Sequence, residues 1–176
     1  KLIIWDTKTF KILKTIVFPI RVYNLKIKDS KIFVVLENSL INVYNKDTFD
    51  FIYKIETGTT NRFIEFTGNR LVTISRTPNY SNSISIWNKE NGNKIYSIDY
   101  KNIKNTSSFL HDNILYLGLE TVNITYRLIA IDISSCTKLF DYKIKYCIDS
   151  LCVFKDRLYI DNDRIRLLDI QTRFKP

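Results

Sequence analysis

Apolar residues recur along this chain in short runs, and one arrangement of these runs is repeated. The stretches "LIIWDTKTFKILKTI" at 2–16 and "ISIWNKENGNKIYSI" at 84–98 each contain an apolar run that ends in Trp followed by Asp or Asn. A polar turn and a second run with alternating apolar residues come next. Because such short alternating runs are typical of β-strands, the pattern predicts a strand–turn–strand unit that occurs at least twice.

The same phrase occurs three more times, at 40–55, 128–144 and 165–174. The anchors, which are the Trp residues and the residues in the equivalent position, are Trp5, Tyr44, Trp87, Ile131 and Leu168. They are separated by 39, 43, 44 and 37 residues. A period of about 40 is typical of the four-stranded blades of propellers. The sequence therefore predicts an all-β chain, a β-propeller of four-stranded antiparallel blades.

The stretches between the anchors contain two further strands each. The runs "IFVVL", "ILYLGL" and "LIAI" are almost continuously apolar, as expected of strands buried on both faces of a sheet. Asn, Asp and Gly residues interrupt the runs, and these tolerate the positive φ of tight hairpins. The predicted turns lie at 28–30, 37–39, 68–69, 111–113, 155–156 and 162–163. The pattern contains no convincing amphipathic helix.

Trp5-Asp6, Trp87-Asn88 and the phrase "NRLVTIS…NSISIWNKENGNKIYSI" resemble the WD40-repeat β-propeller family. The resemblance covers nearly the whole chain, but its motifs are degenerate. The Gly-His dipeptide is missing from every repeat, and the usual turn Asp has only Glu37 and Asp163 as candidates. The family's Trp–Ser/Thr–His–Asp hydrogen-bond network therefore cannot form in full. The repeat "RLIAIDISSCTKLFDYKI" is equally similar to quinoprotein-like propeller repeats.

Counting in the family's blade order gives an orphan strand at 2–6 and four blades, at about 10–45, 50–88, 94–132 and 138–170. The resemblance implies a larger ring, most often seven-bladed, completed by the remainder of the chain or by another subunit. A chain that contains no Met and begins inside an apolar run is also expected to be a piece of a longer polypeptide. The orphan strand should then pair outside residues 7–176 or form an exposed edge.

The charge of the chain is basic, with 27 Lys and Arg against 18 Asp and Glu and a net charge of +9. This balance suggests acidic partners such as nucleic acid, an anionic membrane surface or an acidic peptide. The basic residues are scattered and form no block of five, however, so the Lys residues have an equally simple role in solubility.

Three Cys without a C-x-x-C motif indicate reduced thiols and an intracellular, cytoplasmic protein. No apolar run is long enough for a membrane span. The three Cys and the single His111 do not predict a metal site, and no motif predicts a cofactor.

Catalytic motifs are missing from the sequence: it has no G-x-S-x-G, Walker A, G-x-G-x-x-G or H-E-x-x-H pattern. His111 lies in a predicted tight turn, where a structural role explains it. The prediction is a protein that is not an enzyme, with the alternative that a catalytic site lies in blades of a longer chain.

A binding surface is therefore the most direct expectation for function. Two long loops, 76–82 and 121–126, occupy the same position in adjacent blades, and extra loop length on one face often marks a binding site. Arg and Tyr are enriched at binding hot spots. The predicted partner-binding residues are Arg62, Arg76, Tyr80, Tyr126 and Arg127. The loops could equally be tolerated insertions.

The predicted function is a protein-interaction scaffold or adaptor that binds a protein or peptide on one propeller face, and the basic charge suggests an acidic partner. The alternatives are a nucleic-acid-associated propeller that uses the basic charge and the propeller part of a larger enzyme.

Overall fold

Seventeen strands form five antiparallel sheets in the computed structural model, which describes residues 1–58, 60–76, 79, 81–155, 157–161 and 166–169. Sheet 1 contains β1 (Leu2–Trp5) and β2 (Ile12–Ile16). Sheet 2 contains β3 (Val22–Lys28), β4 (Lys31–Leu36), β5 (Leu40–Asn45) and β6 (Phe51–Glu56). Sheet 3 contains β7 (Thr60–Thr67), β8 (Arg70–Arg76), β9 (Asn82–Asn88) and β10 (Lys94–Tyr100). Sheet 4 contains β11 (Ile103–His111), β12 (Ile114–Thr121), β13 (Tyr126–Asp132) and β14 (Thr137–Ile144). Sheet 5 contains β15 (Ser150–Phe154), β16 (Arg157–Asp161) and β17 (Arg166–Asp169).

The hydrogen-bonded sheets are offset by one strand from the repeat units predicted from the sequence. Each sheet is a meander in which consecutive strands are neighbours. The strand that opens the predicted unit 50–88, β6, pairs with β5 of the preceding unit. The same offset places β2, β10 and β14 in the sheet that precedes them. The repeat units therefore reflect the period of the sequence, whereas hairpin pairing determines which strands belong to one sheet.

The strand at 2–6 is not an orphan that pairs outside residues 7–176, although it does form an edge of its sheet among the described residues. Strand β1 pairs with β2 inside residues 7–176, with Leu2 opposite Ile16 and Ile4 opposite Lys14. The physical reason is the tight turn between the two strands. Asp6 accepts hydrogen bonds from the backbone N–H groups of Lys8 and Thr9, at 2.9 and 2.6 Å, which closes a hairpin.

A side-chain cap of this kind recurs at the end of the third strand in each of sheets 2, 3 and 4. Asn45, Asn88 and Asp132 follow the other anchors and accept from backbone N–H groups two or three residues later, at 2.7–3.1 Å. Asx side chains stabilise turns in this way. The recurring Asn and Asp residues are therefore explained by turn formation.

Several predicted turns adopt the positive φ that their residue types suggested. Asp29, Ser39, Gly68, Asp112 and Asn113 have φ values of 53°, 71°, 50°, 44° and 65°. Lys155 has a φ of 48°, whereas its neighbour Asp156 lies outside the described residues, as does the predicted turn at 162–163.

The core consists of four apolar layers, one between each pair of adjacent sheets. In β4, Phe33 and Val35 pack toward sheet 3, whereas Ile32 and Val34 pack toward sheet 1. Sheets 2, 3 and 4 are thus buried on both faces, which explains their continuous apolar runs. Full burial of one such side chain stabilises the fold by roughly 1.5–3 kcal/mol.

The sheets have two ends, which we call upper and lower. The upper end carries the connections that follow β4, β6, β8, β10, β12 and β14. The lower end carries the turns that follow β3, β5, β7, β9, β11 and β13. Among the described residues no segment is helical, and none forms a helix long and apolar enough to cross a membrane.

Candidate binding site at the upper end of sheets 3 and 4

A row of polar residues crosses sheet 3 at its upper end. Arg76, the last residue of β8, lies opposite Asn82, the first residue of β9. Asn82 in turn lies opposite Tyr100, the last residue of β10. All three lie on the face of sheet 3 that carries the apolar residues of the layer between sheets 3 and 4, so the row faces sheet 4. The apolar layer therefore ends in a polar edge at this junction.

A cavity of about 90 Å³ lies where this row meets the innermost strand of sheet 4. We call it the sheet 3–4 cavity, and its lining residues are Phe63, Ile74, Arg76, Asn82, Thr106 and Ser108. Phe63 and Ile74 form its apolar wall, and the other four provide a guanidinium group, an amide and two hydroxyl groups. Asn82 is buried, whereas Arg76 is partly exposed at the strand end.

The two sheets are joined across this cavity by a hydrogen bond. The side-chain amide of Asn82 donates to the hydroxyl oxygen of Thr106. Because Asn82 is almost fully buried, a direct partner for its amide avoids the cost of an unpaired polar group. This bond joins the two sheets at the edge of the cavity.

The outer part of the same junction holds an ion pair. Arg127 of β13 donates to Asp141 of β14 through two nitrogens, at 2.9 and 2.5 Å, and Lys138 approaches the same carboxylate at 2.9 Å. Burial acts to raise the pKa of Asp141, but hydrogen bonds from Lys138 and Arg127 outweigh it and lower that pKa. The charge of Arg127 is thus compensated within sheet 4.

Tyr100 is buried beside this ion pair, and its hydroxyl has no hydrogen-bond partner among the described residues. Burial raises the pKa of Tyr100 to about 12, and the charge of Asp141 adds to the effect. The hydroxyl is therefore a neutral, buried and unsatisfied polar group in the same layer as the cavity.

The equivalent place between sheets 2 and 3 is closed by hydrogen bonds. Ser75 donates to the amide oxygen of Asn61 at 2.9 Å, and Asn61 donates to the Thr57 hydroxyl at 3.0 Å. Thr57 donates to the backbone carbonyl of Ser39 at 2.7 Å. The three donating side chains, those of Ser75, Asn61 and Thr57, are all buried. The chain of bonds links the two sheets through buried side chains.

The lower end of sheets 2 and 3 is also closed, in this case by a buried cation. Lys89 pairs with Asp29 of sheet 2 and donates to the carbonyl oxygen of Gly68 at 3.1 Å. Tyr53 of sheet 2 donates to the Lys89 carbonyl oxygen, and burial raises the pKa of Tyr53 to about 12. These contacts explain Lys89 structurally.

Three of the five predicted partner-binding residues have side chains that the structure describes. Tyr80 lies outside the described residues, and Arg62 is described only as backbone within β7. Arg76, Tyr126 and Arg127 all lie at the upper end.

Tyr126 and Arg127 lie on opposite faces of sheet 4, because successive side chains of a strand alternate. Arg127 lies on the same face of β13 as Ile129 and Ile131, which pack toward sheet 3. Tyr126 lies on the same face of β13 as Leu128, which packs toward sheet 5. The fold therefore brings Arg76 and Arg127 to one junction and directs Tyr126 to the next.

The expectation of a long loop at 121–126 is wrong. Strands β12 and β13 remain paired up to Glu120 and Tyr126. The Thr121 backbone N–H donates to the Thr125 carbonyl at 2.9 Å, and Ile124 has a φ of 55°. Two Thr hydroxyls, 2.7 Å apart, further close this four-residue connection. Most of the other predicted loop, between β8 and β9, lies outside the described residues.

Sequence reasoning missed Asn82, Thr106 and Ser108 as members of a site. A signal was present in the alternation of β11: Thr106 and Ser108 share the face of Leu110, which packs into the core. Polar residues at two successive inward positions are unusual for a buried strand. The facing sheet, which the sequence does not reveal, is needed to show that they border a cavity.

His111 is the last residue of β11, and its Nε2 lies 3.2 Å from an oxygen of Asp112. Its ring stacks on Phe109, with centroids 6.3 Å apart. Among the described residues, no group of three or more His, Cys, Asp or Glu side chains is arranged to hold a metal ion.

Comparison with known proteins shows the fold but no family. No protein-family model matches the sequence, and no curated protein matches it. Among solved structures, the computationally designed protein Ika4 is similar, with a TM-score of 0.66 and 14% identity over 88% of this chain and 94% of Ika4.

Two natural proteins are similar over about half of their own length. BamB from Moraxella catarrhalis has a TM-score of 0.66 and 10% identity, over 97% of this chain and 52% of BamB. The WD40 domain of Neurospora crassa Pan2 has a TM-score of 0.60 and 9% identity, over 87% of this chain and 48% of that one. Together with the stacked antiparallel sheets, these similarities show that the chain has a β-propeller fold and comprises several blades.

Proposed function

We propose that this chain is a non-catalytic interaction scaffold, which binds a protein or peptide through the upper end of sheets 3 and 4. The observation that supports this most is the cavity beside Arg76, a residue predicted from the sequence to bind a partner. A guanidinium group, hydroxyl groups and an apolar wall together suit a polar peptide side chain. At the neighbouring junction of sheets 2 and 3, by contrast, buried side chains bridge the sheets at the upper end.

The repeats are proposed to be WD40-like. In support, the indole N–H of Trp87 donates to the Thr73 hydroxyl at 2.9 Å, and both residues are buried. This bond is the Trp–Thr part of the hydrogen-bond network associated with the WD40 family. The similarity to the Pan2 WD40 domain is consistent with it.

Co-purification under mild conditions tests the proposal. The tagged wild-type chain should retain a stoichiometric partner from the cells that make it. The double variant Arg76→Ala/Tyr80→Ala should lose affinity by roughly 2–4 kcal/mol if these residues are anchors. Arg70→Ala is the matched control, because Arg70 lies at the lower end of the same strand. A wild-type chain that remains alone, or equal loss in both variants, would contradict the proposal.

A second candidate is nucleic-acid association, which only the net charge of +9 favours. A filter-binding titration with single-stranded and duplex oligonucleotides separates the two. Nucleic-acid binding should weaken steeply with salt, because phosphate contacts release counterions. Negligible binding at low salt would leave the interaction scaffold as the better account.

A further inference from the structure

We propose that β10, the outer strand of sheet 3, is a docking edge to which an extended peptide of another protein adds as a further β-strand. The peptide alternates apolar and polar side chains and carries a Lys or Arg beside Asp99. The inference deepens the proposed function, on which it rests, because it names the backbone segment that a peptide partner pairs with.

The outer strands of sheets 1 to 4 are free edges among the described residues. These strands are β2, β6, β10 and β14, and each pairs with a described strand on one side only. Unpaired N–H and C=O groups on such an edge can pair with a strand from another chain. The outer strands are therefore the places where strand addition is geometrically possible.

A β-bulge interrupts each of these four edges near its lower end. In every case the bulged residue is the eighth after the anchor, and the four residues are Leu13, Ile52, Ile95 and Leu139. Bulges disrupt the ladder and are one means by which proteins prevent strand pairing at an edge. Strand addition is therefore restricted to the regular part of each strand, which lies beyond the bulge.

The regular part of β10 differs from those of the other three edges in its charge. Lys14, Lys54 and Lys143 lie in the regular parts of β2, β6 and β14, and all three are exposed. Lys on an edge strand opposes the addition of another strand. The regular part of β10, Tyr96–Tyr100, contains neither Lys nor Arg. It pairs with β9 without a further shift of register. Of these four edges, β10 is thus the one that lacks a basic residue where a strand can add.

The side chains of β10 determine what kind of strand fits beside it. Tyr96 and Ile98 lie on the face that packs into the apolar layer between sheets 3 and 4. Ser97 and Asp99 lie on the opposite face and are exposed. Side chains of paired strands stand next to each other on the same face of a sheet. The added strand therefore has apolar residues on the side of Ile98 and polar residues on the side of Asp99.

The carboxylate of Asp99 selects a basic residue in the added strand. None of the described cations forms an ion pair with Asp99. Oppositely charged residues on neighbouring strands attract each other, whereas like charges repel. A second copy of this chain fits less well, because its β10 carries the same carboxylate and its other outer edges carry both a bulge and a Lys. A peptide of another protein can supply the opposite charge.

The docking edge is continuous with the proposed binding surface. Tyr100 is the last residue of β10 and lies opposite Asn82, in the polar row at the upper end of sheet 3. A peptide that pairs with β10 therefore leads directly to the upper end of sheets 3 and 4. One extended segment can contact both surfaces.

The probe for a test is a peptide of about six residues, a usual strand length, in which valine alternates with threonine and one threonine is replaced by lysine. Titrated into the isotope-labelled full chain, it should cause saturable NMR shifts at 96–100 and slow hydrogen exchange at alternate amides there. The amides of β2, β6 and β14 should not change. A peptide with glutamate in place of lysine should bind up to about fivefold more weakly. Methylation of alternate backbone nitrogens of the peptide should abolish binding, because the ladder loses its donors.

Asp99→Lys places on β10 the kind of residue that the other three edges carry, and it should abolish detectable addition of the lysine peptide. Asp50→Lys is the matched control, because it makes the same change of charge at an exposed residue of a lower-end turn. This control should leave binding unchanged. Thermal unfolding of both variants verifies that they are folded.

No saturable binding, equal binding of the N-methylated peptide, or binding that survives Asp99→Lys would overturn the docking edge. Slow exchange at 96–100 in a dimer without peptide would identify a second copy as the occupant and would also overturn it. Should the peptides fail while a co-purified partner still depends on Arg76 and Tyr80, the proposed interaction scaffold would stand without this inference. Should the lysine peptide add to β10 but no partner be retained from cells, the reverse would hold.

Discussion

The junction of sheets 2 and 3 and the junction of sheets 3 and 4 are built alike, but their upper ends differ. In the first, Asn61, Ser75 and Thr57 form a continuous series of hydrogen bonds. In the second, Thr106 occupies the strand position equivalent to that of Asn61, and Thr106 lines the sheet 3–4 cavity. The two upper ends thus differ in which side chains make the hydrogen bonds between the sheets.

The difference indicates that the repeat specifies the layers and leaves their ends free to vary. The apolar interior of each junction is the same kind of packed layer. Substitutions at the ends change hydrogen bonding without changing that layer. A binding site at one junction is therefore compatible with the regular fold.

The largest expected effect tests whether the two apolar layers are equivalent. Leu71 and Leu117 are both 0% exposed, one in each junction. Leu71→Ala and Leu117→Ala should each lower the free energy of unfolding by about 2–5 kcal/mol, because each removes buried methylene groups and leaves a cavity. Denaturant unfolding measures both. Values that differ by most of this range would show that the layers are not equivalent.

The next effect tests the closed and open upper ends directly. Asn61→Ala leaves the buried Ser75 hydroxyl without its acceptor and should cost about 1–3 kcal/mol of stability. Thr106→Ala, at the equivalent register, should cost less than about 1 kcal/mol, because water can reach Asn82 through the cavity. The same unfolding experiment compares them. Equal costs would mean that the open end is as tightly packed as the closed one.

A smaller effect is expected from the two buried tyrosines. Tyr53→Phe removes a hydrogen bond to the Lys89 carbonyl and should cost about 1 kcal/mol. Tyr100→Phe removes a hydroxyl that has no partner among the described residues, so stability should change by no more than about 0.5 kcal/mol. Thermal unfolding distinguishes these outcomes. A large loss for Tyr100→Phe would reveal a hydrogen bond that is important in solution.

The smallest effect concerns pH and the ion pair of Arg127. The pKa of folded Asp141 lies below its ordinary value of 3.8. The contribution of the pair is therefore present above pH 3.8 and is lost as the pH falls through the folded pKa. Since Arg127 is partly exposed, this contribution should be about 1 kcal/mol or less. The stability of Asp141→Asn should thus be lower than that of wild type at pH 7 and approach it in acid. The exposed control Asp50→Asn should show no such pH-dependent difference from wild type.

Much of the fold followed from the sequence because the anchors repeat. Tyr44, Trp87 and Ile131 all lie near the end of the third strand of their sheet. The period of the sequence does not determine which neighbouring strand each strand pairs with. The sequence prediction therefore placed β2 and β6 in the following repeat unit. Short turns capped by Asp6 and Asn45 decide that pairing.

The candidate site was less predictable than the fold. Arg76 was identified by its position beside a loop, but its neighbours Thr106 and Ser108 lie some thirty residues later on another sheet. Their proximity depends on how two sheets stack, which periodicity does not encode. Arg127 was identified from residue type, whereas its bond to Asp141 appears only in the pairing of β13 with β14.

Hydrogen exchange of the chain, alone and saturated with its co-purified partner, tests most directly whether the upper end of sheets 3 and 4 binds that partner. The account predicts slower exchange at 74–76, 82–83 and 106–108 in the complex, with the lower-end turns at 29–30 and 89–93 unchanged. Protection confined to the lower end or to sheet 1, with the residues around the sheet 3–4 cavity unaffected, would contradict it.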